Sequence, residues 1–276
     1  MLSEATTTFS DTTVNVTTHG VRHLGAPLGD RHHTEQFIID PVETWTAELR
    51  ALSEAARTQP HLAYSALTHG TINKWVYLSR TVPDISALLQ PLEDIMRTTV
   101  PPALTDREAP SDAERGLFAL SSKLGGLGVI NPSELSNVEY KVSKDVSAPL
   151  VTLIAKQHQQ CSTSSLTEAL QNQIAITAAQ RKAKRIRLST QSAAVQDTLP
   201  SLLAHAMTLS QEQGASTWLT ARPIEEHGFP LHKTAFRDSI VLRYGWGPIN
   251  LFPLTVRVAI HLTLTMPCLV RPEAFL

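Results

Sequence analysis

The sequence predicts a mainly α-helical protein with a short β-hairpin near its N-terminus. Three observations carry this expectation. Apolar residues make up 42% of the chain but aromatic residues only 5%, and much of the apolar content is Leu and Ala, which suit helices. Helix-start signatures recur at Asp40-Pro41-Val42-Glu43, at Ser111-Asp112-Ala113-Glu114 and at Asn131-Pro132. Residues 166–210 form a long polar stretch broken by a single proline, Pro200.

Taken in order, residues 1–39 are rich in Thr, with an alternating Val14-Asn15-Val16 and with Gly20, Gly25 and Gly29 as punctuation, which predicts the hairpin. Asp40 suits a cap and Pro41 the first helical position, so a helix is expected to about residue 58, with Trp45, Leu49, Leu52 and Ala56 on one face. Pro60 ends it. A second helix covers about residues 61–79, carrying Tyr64, Leu67, Ile72, Trp75 and Leu78, and Gly70 weakens it locally. A third covers about residues 84–99, kinked at Pro91. Short connections make residues 40–100 a three-helix bundle, with Trp45, Leu49, Leu67, Trp75 and Leu88 in its core; Trp45, Tyr64, Trp75 and Tyr77 are core or groove-lining. Pro101-Pro102 then breaks the chain. Residues 101–160 read as a helical linker region. It holds a helix from Ser111 to about residue 123, a tight turn at Gly125-Gly126-Leu127-Gly128, a helix from Pro132 to about residue 142, and another from Pro149 to about residue 160. Residues 161–165 are a small-residue linker. Within residues 161–250 the long polar helix, or helix pair, breaks near Pro200 and gives way at Gly214. Residues 218–229 are irregular, and a last helix covers about residues 231–244.

Composition excludes several functional classes. The net charge of −1 gives no global signature of a nucleic-acid binder, although a local patch remains open. Cys161 and Cys268 make neither a disulfide framework nor a zinc quartet, so a reducing, intracellular setting is expected, cytoplasmic or nuclear. No apolar stretch is long enough to span a bilayer, and the N-terminus lacks the pattern of a signal peptide, so no membrane partner is expected. Nucleotidyl transfer needs paired aspartates that hold two metal ions, and no Asp-Asp pair occurs. The glycine-rich turn lacks the Gly-Lys-Ser/Thr ending of a phosphate loop. His23, His32 and His33 have no further ligands at metal-site spacing and read as loop histidines. Glu225-Glu226-His227 lacks metalloprotease spacing and is expected to dock a turn between Trp218 and Phe229. No catalytic residue, metal ligand or cofactor is assigned.

One cluster remains as a candidate binding site: Arg181, Lys182, Lys184, Arg185 and Arg187. On a helix Arg181, Lys184 and Arg185 share a face that can grip phosphates. The same run also fits a nuclear import signal or a merely solvated helix face. No aromatic residue interleaves it, so base stacking is not indicated.

Three blocks carry a resemblance. They are Ser121-Ser122-Lys123-Leu124-Gly125-Gly126-Leu127-Gly128-Val129-Ile130-Asn131-Pro132, residues 218–229 and residues 236–246. Together they resemble the region just after the polymerase palm in reverse transcriptases of non-LTR (LINE-like) retrotransposons, of the kind with a restriction-like endonuclease common in marine invertebrate genomes. The resemblance covers roughly residues 14–250, and residues 21–29 are similar to the Tyr-Leu-Gly segment that closes the palm. It implies a palm-end remnant over 1–39, a thumb over 40–100 and a linker beyond, truncated at both ends. Such a chain is a non-catalytic fragment that at most binds RNA or DNA, weakly and without sequence preference. The relatives continue with a cysteine- and histidine-bearing knuckle, whereas residues 251–276 hold one cysteine, Cys268. Codons compatible with residues 253–259 and 264–268 can spell knuckle-like segments in a shifted frame, so a frameshifted tail is inferred; an ordinary apolar strand is the alternative. A helical scaffold or protein-interaction protein, or a pseudogene product without function, stays open beside the nucleic-acid reading.

Overall fold

The structure, a computed structural model, describes residues 7–10, 12, 16, 17, 19–155 and 162–246. Val14, Asn15 and the tail of residues 251–276 lie outside them. The protein is mainly helical, with a two-stranded antiparallel hairpin near the N-terminus. Its residues divide into two compact units, each discontinuous in sequence. Of the described residues, the first draws on those up to Glu48, on Asn73–Glu93 and on those between Pro132 and Thr177; the second on Leu49–Ile72, Asp94–Asn131 and those from Ala178 to Trp246. The expected boundaries near residues 39, 100 and 160 do not coincide with these units.

In the first unit, β1 (Gly20–His23) pairs with β2 (Ala26–Gly29), Gly20 opposite Gly29 and His23 opposite Ala26. The two-residue loop has φ of 48° at Leu24 and 85° at Gly25. Positive φ at both positions matches the twist of a tight hairpin, at some steric cost for Leu24. The Tyr77 hydroxyl donates to the Leu24 carbonyl and holds the loop in place.

Helix α1 spans Arg31–Ala56. It starts at Arg31 and not at Asp40, because Asp30 is the better cap: its Oδ1 accepts the His33 amide at 2.7 Å and its carbonyl accepts the Thr34 amide at 3.1 Å. The His33 bond also holds the Asp30 carboxyl below its ordinary pKa. Pro41 therefore lies inside the helix, where it removes one N–H from the ladder. His32 and His33 sit in the first turn of α1 and His23 in β1, so they are not loop residues.

Helix α2 (Pro60–Ala66) gives way to a π-turn at Leu67–Thr71, and α3 (Asn73–Thr81) follows. The widened turn closes with the Ile72 amide on the Leu67 carbonyl at 3.1 Å, around Gly70, where the sequence pattern predicts weakness. In the first unit α3 packs on α7 (Pro132–Ala155), with Trp75 and Leu78 buried. Arg80 crosses to the largely buried Glu139 at 2.8 Å. Ser86 and Ser133 exchange hydroxyl-to-carbonyl bonds at 2.9 and 3.0 Å.

Four expectations need correction. Pro149 lies within α7 and does not start a new helix. Pro91 falls in the first turn of α4 (Gln90–Thr98), where a proline is well tolerated, so it opens that helix and does not kink it. Pro101 and Pro102 likewise begin a short α5 (Val100–Thr105). Leu88 and Trp45 are half-buried and not in the core; Tyr77 is exposed but lines a groove with Trp45, as expected. A 3-10 turn at Ala87–Leu89 shifts the helical phase and puts Leu89 into the core instead.

The second unit is built around the glycine-rich turn. Helix α6 (Asp112–Ala119) opens with the expected capping box between Ser111 and Glu114. After a 3-10 turn at Ser122–Leu124, Gly125 and Gly128 take φ of 89° and 69°. Gly126 has no room for a side chain: a Cβ there would lie 2.0 Å from the Leu120 carbonyl oxygen. Helix α8 (Thr163–Thr198) supplies residues to both units. Helices α9 (Ser201–Ser210), α10 (Thr217–Thr220) and α11 (Lys233–Tyr244) complete the second. Phe236 of α11 stacks on His61 at 5.3 Å and meets Tyr64 and Trp218 at 5.9 Å each. Tyr244, Phe118 and Trp246 form a second aromatic group, with Tyr244 and Trp246 4.8 Å apart.

Candidate nucleic-acid interface

Helix α8 carries the five candidate cations. It runs for 36 residues without Gly or Pro, and Ala, Gln, Lys and Arg fill its middle. At its start the Ser162 hydroxyl accepts the Ser165 amide at 3.1 Å. Toward its end Ser192 is buried, and Val195 lies against Gly116 of α6, where a Cβ would meet its Cγ2 at 3.3 Å. That glycine lets helix and helix approach closely.

Arg181, Lys182, Lys184, Arg185 and Arg187 are all exposed on this helix. At about 100° per residue, Arg181, Lys184 and Arg185 fall within one arc of about 100°, with Lys182 and Arg187 flanking it. The acids of α8 are Glu168 and Asp197. At about 1.5 Å per residue they lie roughly 20 and 15 Å along the axis from the run. Both distances exceed the Debye length of about 8 Å at physiological salt. Both acids of the helix are remote from the run, and none of its side chains is aromatic, so the face offers charge without stacking.

The glycine-rich turn is not a second anion site. The amides of Gly125, Gly126, Leu127, Gly128 and Val129 all donate to backbone carbonyls of residues 118–122. A phosphate loop needs such amides turned toward its ligand. Here the carbonyls face inward and are clamped by side chains. Tyr244 Oη donates to Gly125 at 3.1 Å, Arg243 Nη2 to Gly126 at 3.4 Å, Tyr64 Oη to Leu127 at 2.8 Å and Arg115 Nη1 to Val129 at 2.6 Å. Burial pushes the Tyr64 and Tyr244 hydroxyls above their usual pKa, which keeps them as donors.

Among the described residues no group of three or more His, Cys, Asp or Glu is placed to hold a metal ion. Glu225, Glu226 and His227 form an exposed 3-10 turn between Trp218 and Phe229, with His227 5.6 Å from the Phe229 ring. No described helix is long and apolar enough to cross a membrane.

Sequence reasoning missed a second basic cluster. In the second unit a cleft of about 500 Å³ gathers Arg50, Arg57, Arg107 and Arg237 with Glu54 and Asp106. These arginines come from three distant segments, so no window of sequence shows all four together. Comparisons with protein-family models, curated proteins and solved structures find no match to this chain.

Proposed function

We propose that this chain is a non-catalytic nucleic-acid-binding module, a fragment related to the thumb and linker of a non-LTR retrotransposon reverse transcriptase. One observation carries the reading: five exposed cations on one helix, with the nearest acids of that helix beyond a Debye length. Such a face binds the phosphate backbone of RNA or DNA by counterion release and does not read bases. The reading places the protein inside the cell, in cytoplasm or nucleus, where its ligand is. It assigns no catalysis, because the sequence has no adjacent aspartates to hold two metal ions.

The test is fluorescence anisotropy with single-stranded RNA and DNA of several sequences across a salt series. Affinity is expected to be similar for all sequences and to fall linearly with salt on a log–log scale. The combined Arg181→Ala, Lys184→Ala, Arg185→Ala variant is expected to flatten that slope by about 0.7–0.9 for each phosphate no longer neutralised. An unchanged slope and affinity return the run to a solvated helix face.

A second reading, a helical protein-interaction module, is favoured by one specific feature. Leu166, Leu170 and Ile174 recur every fourth residue on α8 and are exposed, as are Val151 and Ile154 near the end of α7. A stable protein complex formed without any nucleic-acid affinity would establish it.

A further inference from the structure

The four-arginine cleft of the second unit has a chemistry of its own. Arg50 lies on α1 and Arg57 just beyond its end; Arg107 follows α5; Arg237 comes from α11. Arg237 is rigidly placed. Its Nη2 donates to the Ala103 carbonyl at 2.9 Å and its Nη1 pairs with Asp106 at 3.1 Å. Its Nε is buried and has no hydrogen-bond partner. The Arg107 guanidinium sits 4.4 Å over the Trp246 ring, which fixes its plane. Arg57 pairs with Glu54 at 3.1 Å, but both side chains are largely exposed, so the pair is weak and exchangeable. Arg50 has no ion-pair partner among the described residues. Four arginines and two carboxylate residues thus line the cleft, and positive charge is in excess.

The other polar groups leave recognition to the arginines. Ser53 Oγ donates to the Leu49 carbonyl at 2.8 Å and Thr98 Oγ1 to the Asp94 carbonyl at 2.6 Å, so neither hydroxyl proton is offered to a ligand, while the Thr99 hydroxyl lies 3.4 Å from that of Thr98. No aromatic ring lines the cleft. Guanidinium groups match the oxygens of a phosphate with paired N–H donors, and arginine is the usual residue for that geometry.

We propose that this cleft is an oxyanion site that binds a phosphate group, either free or as an ester. The cleft is roomy enough for the phosphate and part of what it is joined to. The site shares no residue with the α8 face, and the proposal does not depend on that face binding nucleic acid. Three sources share the chemistry: inorganic pyrophosphate, the terminal phosphate of an oligonucleotide, and an internal phosphodiester.

The experiment is calorimetric titration of the full chain with sodium pyrophosphate, at ionic strength held constant with sodium chloride. Binding is expected in the wild type. The Arg50→Gln, Arg57→Gln double variant should weaken it at least about tenfold, and the Arg50→Lys, Arg57→Lys variant should recover part of the loss. Both positions are exposed, so the fold should persist, as circular dichroism checks; should the double variant unfold, Arg50→Gln alone carries the same test. The combined alanine variant of Arg181, Lys184 and Arg185 should bind pyrophosphate as the wild type does. Absence of binding in the wild type, equal binding by the double glutamine variant, or loss in the α8 variant overturns the proposal. Competition by pyrophosphate against oligonucleotides with a 5′-phosphate or a 5′-hydroxyl then names the source. Selective displacement of the former identifies a terminal phosphate, equal displacement an internal phosphodiester, and displacement of neither inorganic pyrophosphate itself.

Discussion

Replacing Trp75 with Ala tests the core of the first unit. The indole is fully buried and lies 6.1 Å from Trp45, tilted by 55°. A buried Trp withdraws roughly 150–250 Å² from water. At about 25 cal/mol per Å² this is about 4–6 kcal/mol, an upper bound because the unfolded chain already hides some of that surface. One term works against it: the Nε1–H is buried without a partner. An unsatisfied donor of this kind costs about 1–3 kcal/mol, which the truncation relieves. The cavity left behind adds to the loss, and the balance is about 3–5 kcal/mol. Trp75→Phe keeps a ring, removes the stranded donor and leaves a smaller cavity, so its cost should be clearly below that of the alanine variant. Urea unfolding followed by far-UV circular dichroism reads both. A loss under about 1 kcal/mol for the alanine variant, or equal losses for the two variants, would refute this account of the core.

Three further outcomes follow from local geometry. Ser111→Ala should lower stability by about 1 kcal/mol in thermal unfolding, because Ser111 Oγ accepts the Glu114 amide at 3.3 Å while Glu114 Oε2 accepts the Ser111 amide at 3.0 Å; no change would mean the box does not hold the helix end. Burial lowers the pKa of His61 from its usual 6.5, and its Nδ1 accepts the Leu231 amide at 2.9 Å, which requires that nitrogen to be unprotonated. The native state therefore favours neutral His61, so its contribution is complete above the usual value and is lost as pH falls below it. His61→Phe should remove that acid limb from a plot of melting temperature against pH, and a profile parallel to the wild type's would exclude His61 as its source. Purified protein given primer–template, nucleotides and Mg²⁺ or Mn²⁺ should add no nucleotides, and reproducible extension would contradict the non-catalytic reading.

The elements legible in the sequence are those fixed by short-range chemistry. The Ser111 capping box, the break at Pro200 and the start near Pro132 each depend on neighbours within one turn. The hairpin is legible from its glycines, yet its loop needs Leu24 at positive φ, held by Tyr77 from α3, which no local pattern shows. Prolines mislead where they read as breaks. Asp40-Pro41 has the form of a helix start, but Asp30 already caps the helix upstream and Pro41 is carried inside it. Pro149 is carried in the same way within α7. A proline removes one backbone bond, and tertiary packing of the flanking turns outweighs that loss. The candidate binding run is legible because its five cations fall within seven consecutive positions. The arginine cleft is not, because Arg50 and Arg237 meet only through the fold.

Burial also decides what a net charge of −1 means for anion binding. The sum weighs every arginine alike, but the fold separates them. Arg115 and Arg243 are buried with their guanidinium groups on carbonyls in and beside the glycine-rich turn, where they stand in for backbone partners. Those two cations replace hydrogen bonds that a tight, glycine-shaped turn cannot make with backbone alone. The five on α8 are exposed, with the acids of their helix more than a Debye length away. On the proposed reading, a phosphate approaching α8 would meet this local charge and not the sum over the chain. A weak global signature is compatible with the proposed local site for that reason, and salt dependence is the observable that separates them: a chain governed by its net charge would show almost none, whereas binding at the α8 face would fall as salt rises.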